Sequence, residues 1–496
     1  MERLVVLGLD GFHKDLLRYT PTVRKFYESN PGTRLESVEP PVTAPAWASF
    51  QTGKNQGKHG IYDFISYDKD LEMRFLTGAD LHAKTFYEYL DGAGLDIFLY
   101  NLPFALPSRS TADVIPSWLD SDSTPAPEDL YNQYGIEPPK FPDLSNSRLR
   151  NIKVMENCLD HNAKQFKTVL REGDHEFLFH LVSVTDWLQH AAYLDLFEEG
   201  DPDVAKAGEE LLASVDEYVA DINAALGPDD GLLLISDHGF KRYEGSFYVN
   251  DWLEREGWLI TGSERIGDKN ERGKRSVDVG TVGRFLARQE FLRPLLRRAK
   301  SFLQERTNLQ FSLDAGVDTE KSVAYCLSKD ESAIRIQSSD SDKETLSREI
   351  VAALNEEPGV YSILGADLYN GPLADEGGDV IVISNQFKAK RGPIGSIRIN
   401  ESLGHHSKYG IVAADIPGID RNPGLNDANI LDLAPTIIAL FNEAVPNDMD
   451  GTVLGSLVDG GYETISTDDY TPEFSQGVSG DSESVKSRLE NLGYLN

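Results

Sequence analysis

The chain has 496 residues, enough for two or three domains, and its 40% apolar content can fill a sizeable core. Acidic residues outnumber basic ones 81 to 48, a net charge of −33 that disfavours a nucleic-acid polymer as partner and reads as the solvated surface of a halophilic protein. Two cysteines, Cys158 and Cys326, exclude a disulfide framework, and the lack of a leader pattern or of any apolar run of roughly 18 residues points to a cytoplasmic protein without a transmembrane segment.

Along the chain, Leu4–Leu9 is a short apolar run that ends on Asp10. Pro40, Pro41 and Pro45 bracket a turn delivering Thr43 to a helix that runs through Trp47 and Phe50 to Gly53. Ile97–Tyr100 is a strand closing on Asn101, where a turn-forming role is expected. Residues 121–150, rich in Pro, Asp and Ser, read as a surface excursion. Helices near 151–171 and 203–225 lead into the apolar runs Phe177–Val184 and Gly231–Ile235. The first ends near Asp186, the second in Ser236-Asp237-His238-Gly239. Runs this short and this apolar predict strands buried on both faces of a parallel sheet.

The texture changes near residue 262. From Arg265 to Arg306 there are twelve basic and five acidic residues, and Leu292, Leu295, Leu296, Ala299, Phe302 and Leu303 have the spacing of an amphipathic helix. That segment is either a basic arm for an anionic substrate or membrane surface, or a helix packed on the acidic body. Strands near 322–327 and 380–384 with a helix near 343–355 make residues 320–395 an α+β insert. Alternation resumes with a strand at 410–414 and a helix at 432–441, and residues 460–488 form an acidic tail before a short terminal helix. The expected fold is therefore α/β: a mostly parallel central sheet flanked by helices on both faces, with a smaller α+β insert. Its parts would be a catalytic core in residues 1–262 and 399–456, an insert or cap in 263–398, and a flexible tail in 457–496.

In open α/β sheets the ligand site lies beyond the carboxyl ends of the strands, so Asp10, Asp186, Asp237 and His238 would gather at one edge. Asp186 and His190 are four residues apart and share a helix face. His406, in Gly404-His405-His406, could bring in a last imidazole. Carboxylates and imidazoles gathered this way suit one or two divalent metal ions. Thr43, ahead of its helix, has the alternative reading of an N-cap.

With these residues in this order, the chain resembles the alkaline phosphatase superfamily, in particular the type I phosphodiesterase/nucleotide pyrophosphatase branch and its prokaryotic phosphohydrolase relatives. The matching stretches are Leu7-Gly8-Leu9-Asp10-Gly11, Pro40 to Trp47 running on to Thr52-Gly53, His59-Gly60-Ile61, Asp186 to His190, Ser236 to Phe240 and Gly404 to Gly410. Asp432-Leu433-Ala434-Pro435-Thr436, Asp448-Met449-Asp450-Gly451 and the ending Arg488 to Leu495 complete the set.

The resemblance implies that Asp186, His190 and His406 hold one divalent ion and Asp10, Asp237 and His238 the other, with Zn²⁺ favoured and Mn²⁺ the alternative. It implies Thr43 as a nucleophile touching the second ion, a covalent phospho-threonine, and a small anionic phosphate ester as substrate. Phosphodiester hydrolysis is the leading expectation. Monoester hydrolysis or phosphomutase activity is the alternative, and a metal-binding regulatory protein that lost catalysis is the non-enzyme one. Two departures narrow this. Phe64 stands where nucleotide pyrophosphatases carry a phosphate-binding Asn, and Trp47 stands where sulfatases need Arg. His59 is expected to support the Thr43 helix, and His405 either to face solvent or lie behind the ligands or, on an equal footing, to be a ligand itself.

Overall fold

The computed structural model describes residues 1–67, 73–144, 147–198, 200–260, 317, 321–327, 332–419, 424–467, 486 and 489. They form two units, Met1–Arg242 with Leu368–Gly377 and Leu403–Asn496, and Tyr243–Asp367 with Gly378–Ser402.

The apolar runs of the first unit become a central sheet. Its strands are β1 (Arg3–Leu9), β2 (Gly32–Glu36), β3 (Ile97–Tyr100), β4 (Asp113–Ile115), β5 (Phe177–Val182), β6 (Asp230–Ile235), β7 (Tyr409–Asp415) and β8 (Ala428–Asn429). Their spatial order is β8-β2-β7-β6-β1-β5-β3-β4, and β7 alone among these eight runs antiparallel to its neighbours. Alternate side chains of β1 feed two cores, one on each face. Val5, Leu7 and Leu9 pack with α2 (Arg148–Glu172), α3 (Val184–Phe197) and α4 (Pro202–Ala225). Leu4 and Val6 pack with Phe50 and with α5 (Leu433–Leu440). Each of these strand side chains is wholly buried, and burial of that kind contributes about 1.5–3 kcal/mol apiece.

Register places the site. Leu9 pairs with Val182 and Gly8 with Ile235, so β1, β5 and β6 end level and the residues that follow them leave the sheet at one edge. The Thr43 helix, α1 (Thr43–Thr52), is buried at all ten positions and ends on Gly53, whose φ of +65° suits a residue without Cβ. Trp47 meets Phe50 and Phe179 edge-on at 5.5 and 5.6 Å. A Cβ on Gly8 would lie 2.6 Å from the Trp47 ring, so glycine is what lets the indole approach β1. Leu403–Ser407 pairs with Gly239–Tyr243 and carries His406 toward the same edge.

The second unit has a four-stranded antiparallel sheet in the order Ala324–Cys326, Ala333–Ile336, Val380–Ile383, Tyr361–Leu364, with the helix Asp340–Asn355 against it. A three-stranded sheet of Phe387–Lys390, Gly245–Tyr248 and Arg398–Ile399 completes it. The basic segment 265–306 and, apart from 486 and 489, the terminal helix lie outside the described residues. Among the described residues no helix is long and apolar enough to cross a membrane.

Two buried histidines give the first unit an acid weakness. His180 on β5 accepts a hydrogen bond at Nδ1 from Tyr218 Oη at 2.6 Å, and burial lowers its pKa from 6.5 to about 3. His59 accepts from the Ile61 N–H at Nδ1 and bonds Ser49 Oγ at 2.9 Å, and burial, aided by Lys54, lowers it to about 3 as well. Both stay neutral in the fold while the unfolded chain takes up protons below 6.5. The stabilisation is therefore full above 6.5 and is lost as pH falls from 6.5 toward 3. The slope is about 1.4 kcal/mol per pH unit for each histidine. Urea unfolding of metal-free protein at several pH values should show His180→Phe losing less stability on acidification than the parent. An unchanged slope would remove His180 as a cause.

Candidate metal centre

The level ends of β1, β5 and β6 bring five of the expected residues together, Leu403–Ser407 adds His406, and all of the six but the half-buried His190 are buried. Asp10 follows β1 directly, and its backbone N–H donates to Val182 O at the end of β5. Asp186 and His190 rise from the first turns of α3, while Asp237 and His238 follow β6. His190 Nε2 lies 3.5 Å from Asp186 Oδ2 and 2.8 Å from His406 Nε2, and His406 Nε2 lies 3.3 Å from Asp186 Oδ1. On the other side His238 Nε2 is 3.3 Å from Asp237 Oδ2 and 3.8 Å from Asp10 Oδ1. The donor atoms of Asp10, Asp237 and His238 lie within 4.8 Å of one another, and so do those of Asp186, His238 and His406. His238 is thus within reach of both groups, which the sequence did not foretell.

Thr43 completes the arrangement. Val42 is the extended residue before α1 and Thr43 is the first helical one, without a side-chain capping bond. This corrects the N-cap reading. Its hydroxyl instead lies 3.1 Å from His238 Nε2.

The second nitrogen of two imidazoles is already committed. His238 Nδ1 donates to Gly239 O at 3.1 Å and His406 Nδ1 to Pro41 O at 3.2 Å. Each Nε2 then turns its lone pair into the cluster, as metal-ligating histidines do. Three carboxylate oxygens of the second group lack compensation. Neither oxygen of Asp10 nor Oδ2 of Asp237 has a hydrogen-bond partner, though all are buried. Burial, then the charges of Asp237 and Asp186, push the Asp10 carboxyl well above the usual carboxylate range. Burial raises Asp237 to about 8 despite the opposing Gly11 N–H, and burial followed by the neighbouring His406 holds His238 well below an ordinary imidazole. Buried oxygens without donors are costly unless a cation is supplied. The residues present therefore fit divalent metal ions.

The surroundings hold this set in place. Gly11, at φ +64°, donates its N–H to Asp237 Oδ1 at 3.1 Å. A Cβ there would lie 3.1 Å from Asp186 Oδ1 and 3.3 Å from the His238 ring, so the turn passes between residues of the cluster. Gln189, wholly buried on α3, donates to Gly11 O at 2.9 Å. Neither Gly11 nor Gln189 was singled out from the sequence. The readable signal for Gln189 was an uncharged polar residue in an apolar stretch, between Asp186 and His190. His59 bonds Ser49 of α1, as expected of a supporting residue. His405 accepts the His406 N–H at Nδ1. Asn101, at φ +63°, makes the expected turn and ties Leu181 O, Ser183 Oγ and the Trp118 N–H together. Phe64 is buried edge-on to Trp118.

Known proteins share this fold. Phosphonoacetate hydrolase from Sinorhizobium meliloti 1021 is 15% identical over 87% of this chain and 94% of its own, with a TM-score of 0.54. Murine ectonucleotide pyrophosphatase/phosphodiesterase 5 is 14% identical over 89% and 96%, with a TM-score of 0.51. The alkaline phosphatase PafA is 14% identical over 92% and 99%, also at 0.51. No curated protein sequence matches the chain. The family described as type I phosphodiesterase / nucleotide pyrophosphatase matches residues 4–319, which include every residue of the cluster except His406. The chain belongs to this family, within the alkaline phosphatase superfamily, and is a phosphoester hydrolase.

Proposed function

We propose that this protein is a two-metal phosphodiesterase in which Thr43 attacks phosphorus. The observation that carries the reading is the Thr43 hydroxyl, held at the start of a wholly buried helix with His238 Nε2 3.1 Å away. Asp186, His190 and His406 would hold one ion and Asp10, Asp237 and His238 the other, with Thr43 beside the second. Divalent cations bound there supply Lewis acidity, lowering the pKa of a hydroxyl and balancing charge on the attacking and leaving oxygens of an in-line displacement.

The chain's own residues do the rest. Thr43 Oγ1 lies 3.1 Å from His238 Nε2, so a cation held by that nitrogen would have the hydroxyl beside it. As the Thr43 Oγ–P bond forms, the bond from phosphorus to the leaving oxygen breaks and the alcohol departs. Water then cleaves the phospho-threonine and restores the hydroxyl. A threonine-to-alanine variant of murine ectonucleotide pyrophosphatase/phosphodiesterase 5, described as inactive and in complex with AMP, supports a threonine in this role. Mixed imidazole and carboxylate donors favour Zn²⁺, with Mn²⁺ second. The charge of −33 favours a small anionic ester over a polymer, and a salt-rich cytoplasm as the working medium.

Hydrolysis of bis(p-nitrophenyl) phosphate and p-nitrophenyl phosphate at high salt, with Zn²⁺, Mn²⁺ or EDTA, tests this. The expected result is metal-dependent turnover that favours the diester and stops in EDTA. Preference for the monoester would replace the diesterase reading with a phosphatase or mutase one.

A further inference from the structure

Resting on the two-metal reading above, we propose that Gln189 is a positioning residue that couples the two ion sites through the Asp10–His13 turn. All of its polar atoms are engaged. Nε2 donates to Gly11 O at 2.9 Å and to Thr185 O at 3.0 Å, which turns Oε1 toward His13, whose Nε2 donates to it at 2.8 Å. Gln189 and His13 are both buried, so these bonds do not exchange freely with water.

The consequence lies in what the bonded elements carry. Gln189 sits on α3 between Asp186 and His190, of the first site. Gly11 follows Asp10, of the second, and its N–H donates to Asp237 Oδ1, also of the second. A continuous path thus runs from α3 through the Gln189 amide and the Gly11 peptides to Asp237. Thr185 reinforces it, donating from Oγ1 to Asp10 O at 2.6 Å. A Cβ at Gly11 would touch Asp186 and His238, so the turn has little room to shift without moving ligands of both sites. Loss of the amide releases Gly11 O and lets the turn move against α3. The cost is then expressed at the distant ion as well as at the near one.

The test is calorimetric titration of chelator-treated Gln189→Met with Zn²⁺ beside the parent, with bound metal counted by elemental analysis. His190→Ala identifies which dissociation constant belongs to the Asp186 site. Both constants are expected to weaken by about 10–100-fold, the range seen when residues supporting metal ligands are removed. A loss confined to the Asp186 ion would mean that Gln189 serves only its own helix, and unchanged constants would mean that it serves neither; either result overturns the coupling. If Gln189→Met does not fold, Gln189→Glu, which keeps the length and the acceptor for His13 but removes the donor to Gly11, is read in the same way. A parent protein that binds fewer than two ions would overturn the two-metal reading and the coupling with it, whereas failure of the coupling alone leaves two ions bound in the parent.

Discussion

Replacing Thr43 with alanine is expected to reduce ester hydrolysis by about 10³-fold or more while two ions remain bound. The expectation follows from what the side chain does and does not hold. Thr43 is the first residue of α1 and makes no capping bond, so alanine, a strong helix former, keeps the helix. Its hydroxyl contacts His238 Nε2 at 3.1 Å, and His238 retains Asp237 and Asp10 as neighbours without it. Losing one such hydrogen bond costs about 0.5–1.5 kcal/mol of stability, too little to unfold the unit. What disappears is the oxygen that would bond to phosphorus. Thr43→Ser restores that oxygen and should recover measurable turnover. Retained activity in Thr43→Ala would remove the nucleophile assignment, and loss of metal in it would mean that the hydroxyl is a structural ligand instead.

The parts of this molecule that were legible in its sequence are those governed by period and burial. Ile97–Tyr100 and Phe177–Val182 are wholly buried runs whose composition leaves no other place for them, and the acids that follow such strands must leave at the carboxyl edge. Asp186 and His190 were legible as a pair because a helix places i and i+4 on one face. Contacts between elements that are remote in sequence were not legible. Leu368–Gly377 lies in sequence between Tyr361–Leu364 and Val380–Ile383, two paired strands of the second unit, yet it belongs with the first unit, where the Leu373 N–H donates to Gly57 O and Tyr62 Oη donates to Leu373 O. No hydrophobic pattern announces a segment held by backbone bonds. The same holds for Gln189, which is a polar residue satisfied by partners on two other turns, and for His238, whose reach toward both groups depends on how β6 ends against β1.

His238 also separates two versions of the metal centre. Its Nε2 is near both donor groups, but its Nδ1 is committed to Gly239 O, so one nitrogen is left to coordinate and it can serve one ion at a time. The proposed ligand sets give that nitrogen to the second site, where Asp237 Oδ2 lies 3.3 Å from it. Its closeness to the first arises because the His238 and His406 rings stack with centroids 4.0 Å apart, which brings the two sites against each other. His238→Ala is therefore expected to retain one ion per chain, held by Asp186, His190 and His406. His190→Ala should also retain one, held by Asp10, Asp237 and His238, and the double variant none. Each single variant should lose several kcal/mol of transition-state stabilisation, on the order of 10³-fold in rate, because one of the two cations that balance the displacement is gone. Elemental analysis after dialysis reads the stoichiometry directly. If His238→Ala alone emptied both sites, the imidazole would be holding the two ions together, and the separate ligand sets assigned here would have to be replaced by a shared one.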